Sequence, residues 1–226
     1  MTSSVTILAL DSATDACSTA VWRDGCLAAH ALTRQRNGHA EILMPMIRDV
    51  MVQARQDFTT LDLIATTVGP GSFTGLRIGL STARALALAA GKPVIGLTTL
   101  ETVAAAQPPF EGTLLVAIDS RREGIFVQMF SPKMEPFCAP AALRPADIAS
   151  ILPAGPVVIA GNAADTVLRA LPSGNLKVAG GPDLPDAGIL ARCAAAKFYD
   201  LTGNEPPPGP LYLRPPDAKL PTQTGA

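Results

Sequence analysis

Aromatic side chains are scarce in this sequence, with one Trp, two Tyr and seven Phe among 226 residues. Any core must therefore be built from Ala, Leu, Ile and Val. Histidine is scarcer, with only His30 and His39, and the four cysteines, Cys17, Cys26, Cys138 and Cys193, form no CxxC pair. A zinc site needs close, paired ligands, so this set argues against an intrinsic metal site. It fits buried free thiols in a reducing cytosol. An excess of charge of one sign is also missing: the net charge is −1. Nucleic-acid affinity comes from neutralised phosphates, so the balance argues against a chain that grips RNA alone, though not against a subunit of an assembly that does. The first apolar run, VTILAL, has no basic segment before it and stops at Asp11, so it does not read as a signal peptide. The run from Ile78 to Leu100 is interrupted by Arg84, Lys92 and Pro93. It reads as a buried helix followed by a strand, not as a membrane span.

What is present is apolar. Hydrophobic residues make up 48% and charged residues 16%, enough to bury a sizeable core and too little charge for a disordered chain. Residues 5–10 read as a buried strand. Residues 17–23 and 26–33 read as two more, joined through Asp24-Gly25, a hairpin signal. Gly38 to Arg55 reads as a helix whose Ile42, Leu43, Met46, Ile47, Val50 and Ala54 form one stripe. Pro45 inside it predicts a kink or a late start. A strand over 61–68, a helix over 74–90 closed by Gly91, a strand over 93–98 and a short helix over 99–106 follow. Pro108-Pro109 ends this half.

The pattern then restarts. Residues 113–120, TLLVAIDS, align without a gap to residues 5–12, VTILALDS, at an offset of 108. Internal repeats of this kind constrain the whole fold. Helices over 146–152, 163–171 and 187–201 and a strand over 156–161 complete the second half. A proline-rich tail from Asn204 reads as extended and loose at its end. The expectation is an α/β chain with two β-β-β-α-β-α lobes, residues 1–107 and a smaller 108–226. That is the duplicated actin-like (ASKHA) architecture, with mixed sheets flanked by helices and a cleft between the lobes. An acidic residue ends the first strand of each half, Asp11 and Asp119.

In such a cleft, phosphates are met by backbone N–H groups on glycine-containing turns, because a Cβ blocks the approach. The turn Asp11-Ser12-Ala13-Thr14-Asp15-Ala16 has no glycine. In Asp119-Ser120-Arg121-Arg122-Glu123-Gly124 the glycine comes late, behind two arginines. The cleft candidates are therefore vestigial: Asp11, Ser12, Thr14, Asp119 and Gly161. The stretch VGPGSFTGLRIGLS, Val68 to Ser81, resembles a phosphate loop but has Thr74 where a Walker loop or a dinucleotide fingerprint needs its second or third glycine. It also lacks the GxSxG of a nucleophile elbow. A strand–turn–helix junction capped by Ser72 or Thr74 remains. No catalytic set emerges: His30 lies in a strand pattern, and His39 opens an amphipathic helix. Acid–base work by Asp11 and Asp119 stays open beside their plainer role of bonding loop amides. The alternative function is that of an actin-fold ATPase or kinase acting on its own, against which the missing glycines count.

ILALDSAT, NGHAEILMPMI, VGPGSFTGLRIGLSTARALALAAGKPVIGLTTLE and LYLRPPDAK together resemble the bacterial TsaB family, also called YeaZ and grouped with M22 glycoprotease-like proteins. The resemblance spans nearly the whole chain. It implies a cytoplasmic accessory subunit for threonylcarbamoyladenosine synthesis beside the tRNA anticodon. The implied partners are the catalytic paralogue TsaD in a heterodimer and the ATPase TsaE, with a homodimer as a further possibility. tRNA would be met only through the complex, with Arg121 and Arg122 as a small basic patch. ATP or ADP and metal belong to the partner subunits, and no cofactor or catalytic residue is expected here. Where TsaD carries HxxxH, this sequence has Thr99 and Val103, neither able to ligate as imidazole does. His39, Leu43, Met46, Ile47 and Val50, on the helix over 38–55, are the expected partner surface.

Overall fold

The computed structural model describes residues 5–171, 175–203 and 205–214. β1 (Thr6–Asp11), β2 (Ala16–Arg23) and β3 (Cys26–Arg34) form an antiparallel meander, and β4 (Leu63–Thr67) and β5 (Val94–Leu97) extend it in parallel, giving the order β3-β2-β1-β4-β5. The second half repeats this plan. β6 (Thr113–Asp119), β7 (Ile125–Phe130) and β8 (Ala141–Leu143) are antiparallel, and β9 (Val157–Ala160) and β10 (Leu176–Val178) are parallel, in the order β10-β9-β6-β7-β8. The chain is thus a duplicated actin-like α/β fold with two mixed five-stranded sheets flanked by helices. Asp11 and Asp119 are the last residues of equivalent strands, as the repeat predicts.

Local rules account for most elements. Asp24 and Gly25 both take positive φ, 54° and 79°, the two-residue turn whose twist suits a hairpin. Helix α1 (His39–Gln53) begins directly after Gly38 and continues through Pro45, so the proline marks no late start. Helix α2 (Phe73–Ala90) is capped by Ser72, whose hydroxyl accepts from the Gly75 N–H, and ends on Gly91 at φ 64°. Helix α3 (Thr99–Ala105) has a capping box, with the Thr98 hydroxyl on the Glu101 amide and the Glu101 carboxylate on the Thr98 amide. Helices α4 (Ala164–Ala170) and α5 (Ala187–Lys197) follow. Two details differ from expectation. Pro145–Ile151 winds as 3-10 helix, and β10, too short to alternate, was not foreseen.

The central strands β1, β2, β4, β6 and β7 are buried on both faces, so alternate residues feed separate cores. Leu8, Leu10 and Ile64 pack beneath α1 and α2, against Leu43, Ile47 and Ala83. Ile7, Ala9, Leu63 and Ala65 face α5, against Ala187, Leu190, Ala191 and Ala194. On the second sheet, Leu114, Val116 and Ile118 face α3, with Leu100, Val103 and Ala104. Leu115, Ala117 and Ile159 face α4 and Ile148. The helices are therefore exchanged: α3, from the first half, covers the second sheet, and α5, from the second half, covers the first. With so few aromatics, the close approach of α5 rests on six buried alanines, Ala187, Ala191 and Ala194 on the helix and Ala9, Ala20 and Ala65 on the sheet.

This packing corrects the expected partner surface. Leu43 is 1% exposed and Ile47 and Val50 are fully buried. His39 is buried too, with Nε2 at 3.1 Å from the Gln35 carbonyl. Only Met46 is half-exposed. The stripe is core because a 15-residue helix lying on a sheet must bury its apolar side there. What α1 leaves in solvent is the opposite side, with Met44 at 45% and Val52 at 71% exposure. Of the tail, residues 205–214 are extended as expected and run back over both lobes; its end lies outside the described residues.

Candidate functional site: the cleft between the lobes

The cleft begins with Asp11. Its carboxylate is fully buried at the end of β1. Oδ1 accepts from the Thr67 hydroxyl at 2.5 Å and from the Ala13 N–H at 3.2 Å, while Oδ2 has no hydrogen-bond partner. Burial pushes the carboxyl up to about 7, against the lowering effect of those two bonds, and the nearby Asp186 charge adds to the rise. Burial and the Asp11 charge likewise push the Cys17 thiol up to about 12, which keeps it unreactive. Cys26 and Cys138 are exposed, which corrects the expectation that all four thiols are buried.

The turn after Asp11 is filled from the opposite side. The Ser72 N–H donates to the Ala13 carbonyl at 2.8 Å, and the Ser12 hydroxyl donates to the Gly75 carbonyl at 2.8 Å. A Cβ at Gly71 would run into the Ala13 carbonyl and one at Gly75 into the Ser12 carbonyl; one at Gly79 would stand 2.8 Å from the Ser12 hydroxyl. Gly71, Gly75 and Gly79 thus strip one side of the α2 start so that the β1–β2 turn can lie on it. The loop's glycines make room for the chain's own backbone. The sequence carried this signal in its four-residue glycine spacing, which nucleotide templates do not test. Gly75→Ala is expected to cost more than about 2 kcal/mol, because main chain stands on both sides and neither can yield; thermal unfolding against Gly91→Ala, where a Cβ meets nothing within 4 Å, separates crowding from backbone strain.

The second lobe supplies the other wall. The Asp119 N–H donates to Asn162 Oδ1 at 2.8 Å, and Asp119 Oδ1 accepts from the Arg121 N–H at 2.8 Å. Gly161, at φ 101°, lies where a Cβ would meet the Ala117 carbonyl. Arg121 takes a positive φ of 59° and crosses the cleft. Its guanidinium pairs with the Asp15 carboxylate and reaches the Arg36 carbonyl at 3.4 Å. The structure therefore gathers Asp11, Ser12 and Thr14 in one turn and ties Asp119 to the Gly161 loop, while Arg121 bridges the two walls. The Thr14 hydroxyl is buried without a partner.

One polar pair was not read from the sequence. His30 on β3 stands 2.8 Å from Asp186, and Asp186 caps α5 through the Gly188 and Ile189 amides. Burial works to raise the Asp186 carboxyl, but the His30 bond and charge and the two amides outweigh it and hold it below the usual range. The Asp186 bond in turn raises His30 against its own burial. The pairing joins residues 156 positions apart, which no local pattern announces.

Over residues 29–182 the chain matches the family model described as TsaD: tRNA N6-adenosine threonylcarbamoyltransferase. It is 41% identical over 122 residues to the tRNA threonylcarbamoyladenosine biosynthesis protein TsaB of Escherichia coli, 53% of this chain and 52% of that one. YeaZ from Pseudomonas aeruginosa superimposes with a TM-score of 0.81 at 28% identity, covering 92% of this chain and all of the other. The chain belongs to the TsaB/YeaZ family. A further relative, the uncharacterized protein Rv3421c of Mycobacterium tuberculosis, is 32% identical over 95% of this chain and 94% of its own length. Matches to the proteins named TsaB in E. coli and Bacillus subtilis span only 52% and 56% of those relatives. Set beside the TsaD-type pattern, Thr99 and Val103 are both buried on α3, Val103 within the apolar core of the second lobe. Among the described residues there is no group of three or more His, Cys, Asp or Glu placed to hold a metal ion, and no helix is long and apolar enough to cross a membrane.

Proposed function

We propose that the chain is a non-catalytic, cytoplasmic subunit of tRNA threonylcarbamoyladenosine biosynthesis that holds a catalytic TsaD paralogue and, with it, the ATPase TsaE. One observation carries the non-catalytic part: the places where phosphates would approach are taken by the chain's own atoms. The Ser72 amide is bonded to the Ala13 carbonyl, and Arg121 crosses to Asp15. ATP and metal then act in the partners, and tRNA is met through the complex. The partner surface moves from the buried stripe to the exposed side of the same helix, Met44 and Val52, joined by Leu88 of α2, which is 86% exposed. Contiguous apolar surface left in water marks association sites, and these three residues are the large apolar groups that α1 and α2 leave most exposed, ahead of Phe73.

Reconstitution tests the reading. The chain is combined with its own TsaD and TsaE, threonylcarbamoyl-AMP and tRNA, and the modified adenosine is measured with and without it. Dependence on the chain, with no product from the chain alone, is expected; product without TsaD would overturn the proposal. In the same assay, Met44→Asp with Val52→Asp is expected to weaken binding to TsaD by about two orders of magnitude while the chain stays folded. Unchanged binding would remove α1 from the interface.

A further inference from the structure

Residues 205–214 leave the second half and cross the molecule as an extended strap. On the first lobe, the Pro208 carbonyl accepts from Arg84 Nη2 and the Leu211 N–H donates to the Val68 carbonyl at 2.7 Å. Tyr212 packs on Phe73 with ring centroids 5.3 Å apart, and its hydroxyl accepts from Arg77 Nε at 3.4 Å. Arg77 itself lies 3.7 Å over the Phe73 ring. One residue later the strap changes lobes. Leu213 joins the apolar cluster of Leu114, Val116 and Phe130, and Arg214 stands 5.8 Å from the Phe126 ring.

The floor beneath this path is bare. A Cβ at Gly69 would stand 2.8 Å from the Leu211 carbonyl; one at Gly96 would run into Val68 Cγ1 and stand 2.8 Å from Pro208 Cβ; one at Gly124 would meet Arg214 Nη2 at 2.5 Å and the Leu143 carbonyl at 2.8 Å. These glycines come from three separate loops and strands of both halves, yet each opens space under the strap. Proline suits the occupant, since it keeps the segment extended and has no N–H to satisfy. Where a donor is needed, Leu211 supplies it.

We propose that these glycines floor a peptide seat that spans both lobes, filled by the chain's own residues 206–214, and that the seated strap sets one lobe against the other. The exchanged helices α3 and α5 join the lobes at their cores and the Arg121–Asp15 pair closes the cleft on the loop side; the strap is a further tie across the surface. Release of either anchor then loosens both lobes.

Amide hydrogen exchange on the full chain tests this with two substitutions in the strap. Leu213→Asp removes the second-lobe anchor. It is expected to speed exchange of the Leu211 amide on the first lobe by about tenfold. Tyr212→Ala removes the first-lobe anchor and is expected to speed exchange along β7, in the second lobe, by a similar factor. The amides of β1 report global folding and stay protected in both. Acceleration confined to the lobe whose anchor was cut, or none in either variant, overturns the proposal. If Leu213→Asp also exposes β1, the exposed Tyr212 decides the question alone.

Discussion

Between pH 4 and pH 7 the folded chain should lose about 3 kcal/mol of stability, and Asp11→Asn should remove most of that loss. The reason is a buried carboxyl whose value in the fold, about 7, lies above the ordinary 3.8. Below pH 4 the group is protonated in both states and contributes nothing. Above it, the unfolded chain releases the proton while the folded chain keeps it, so stability falls by about 1.4 kcal/mol per pH unit until the folded value is passed. Asparagine keeps an oxygen for the Thr67 hydroxyl and the Ala13 amide and carries no charge, so its profile should be nearly flat across the window. His30 adds a smaller slope of the same sign in both proteins. Its raised value stabilises below 6.5, and that contribution disappears as pH rises through the folded value. Asp186 acts the other way, but below 3.8, outside the window. Urea titrations at four pH values measure the effect. Equal slopes in the two proteins would show that Asp11 is charged in the fold.

Val50→Asp and Val52→Asp are two residues apart and should differ by nearly the whole stability of the molecule. Val50 is fully buried against the first sheet. A carboxylate there has no partner and no water, a penalty of about 5 kcal/mol, which reaches the lower range of total domain stability. Val52 is 71% exposed, and the same charge there should shift stability by less than about 0.5 kcal/mol. Circular dichroism on the two purified variants is sufficient: an unfolded Val50→Asp beside a native Val52→Asp is the expected pair. A folded Val50→Asp would mean that α1 does not lie on the sheet as described.

That contrast also marks what the sequence made legible. The repeat of VTILALDS in TLLVAIDS predicted two like lobes, and Asp24-Gly25, Ser72 and Gly91 each announced a local turn or cap through their own chemistry. The stripe Leu43, Ile47, Val50 was equally visible, but an apolar stripe reads the same whether a sheet or a partner covers it. Only tertiary packing distinguishes the two. The His30–Asp186 and Arg121–Asp15 pairs were hidden for a related reason: each joins residues more than a hundred positions apart. The glycines at 71, 75 and 79 fall between these cases. Their spacing was in plain view, and what they make room for lay on another element.

The exchange of helices between the lobes has a consequence for synthesis. Strand β5 ends at Leu97, and the helix that covers its sheet begins only at Ala187. At ribosomal speeds the intervening stretch takes on the order of ten seconds to emerge. Throughout that time Ile7, Ala9, Leu63 and Ala65 have no cover from their own chain. The nascent first half therefore presents a bare aliphatic sheet face that has to be shielded by something else until the chain's last helix arrives.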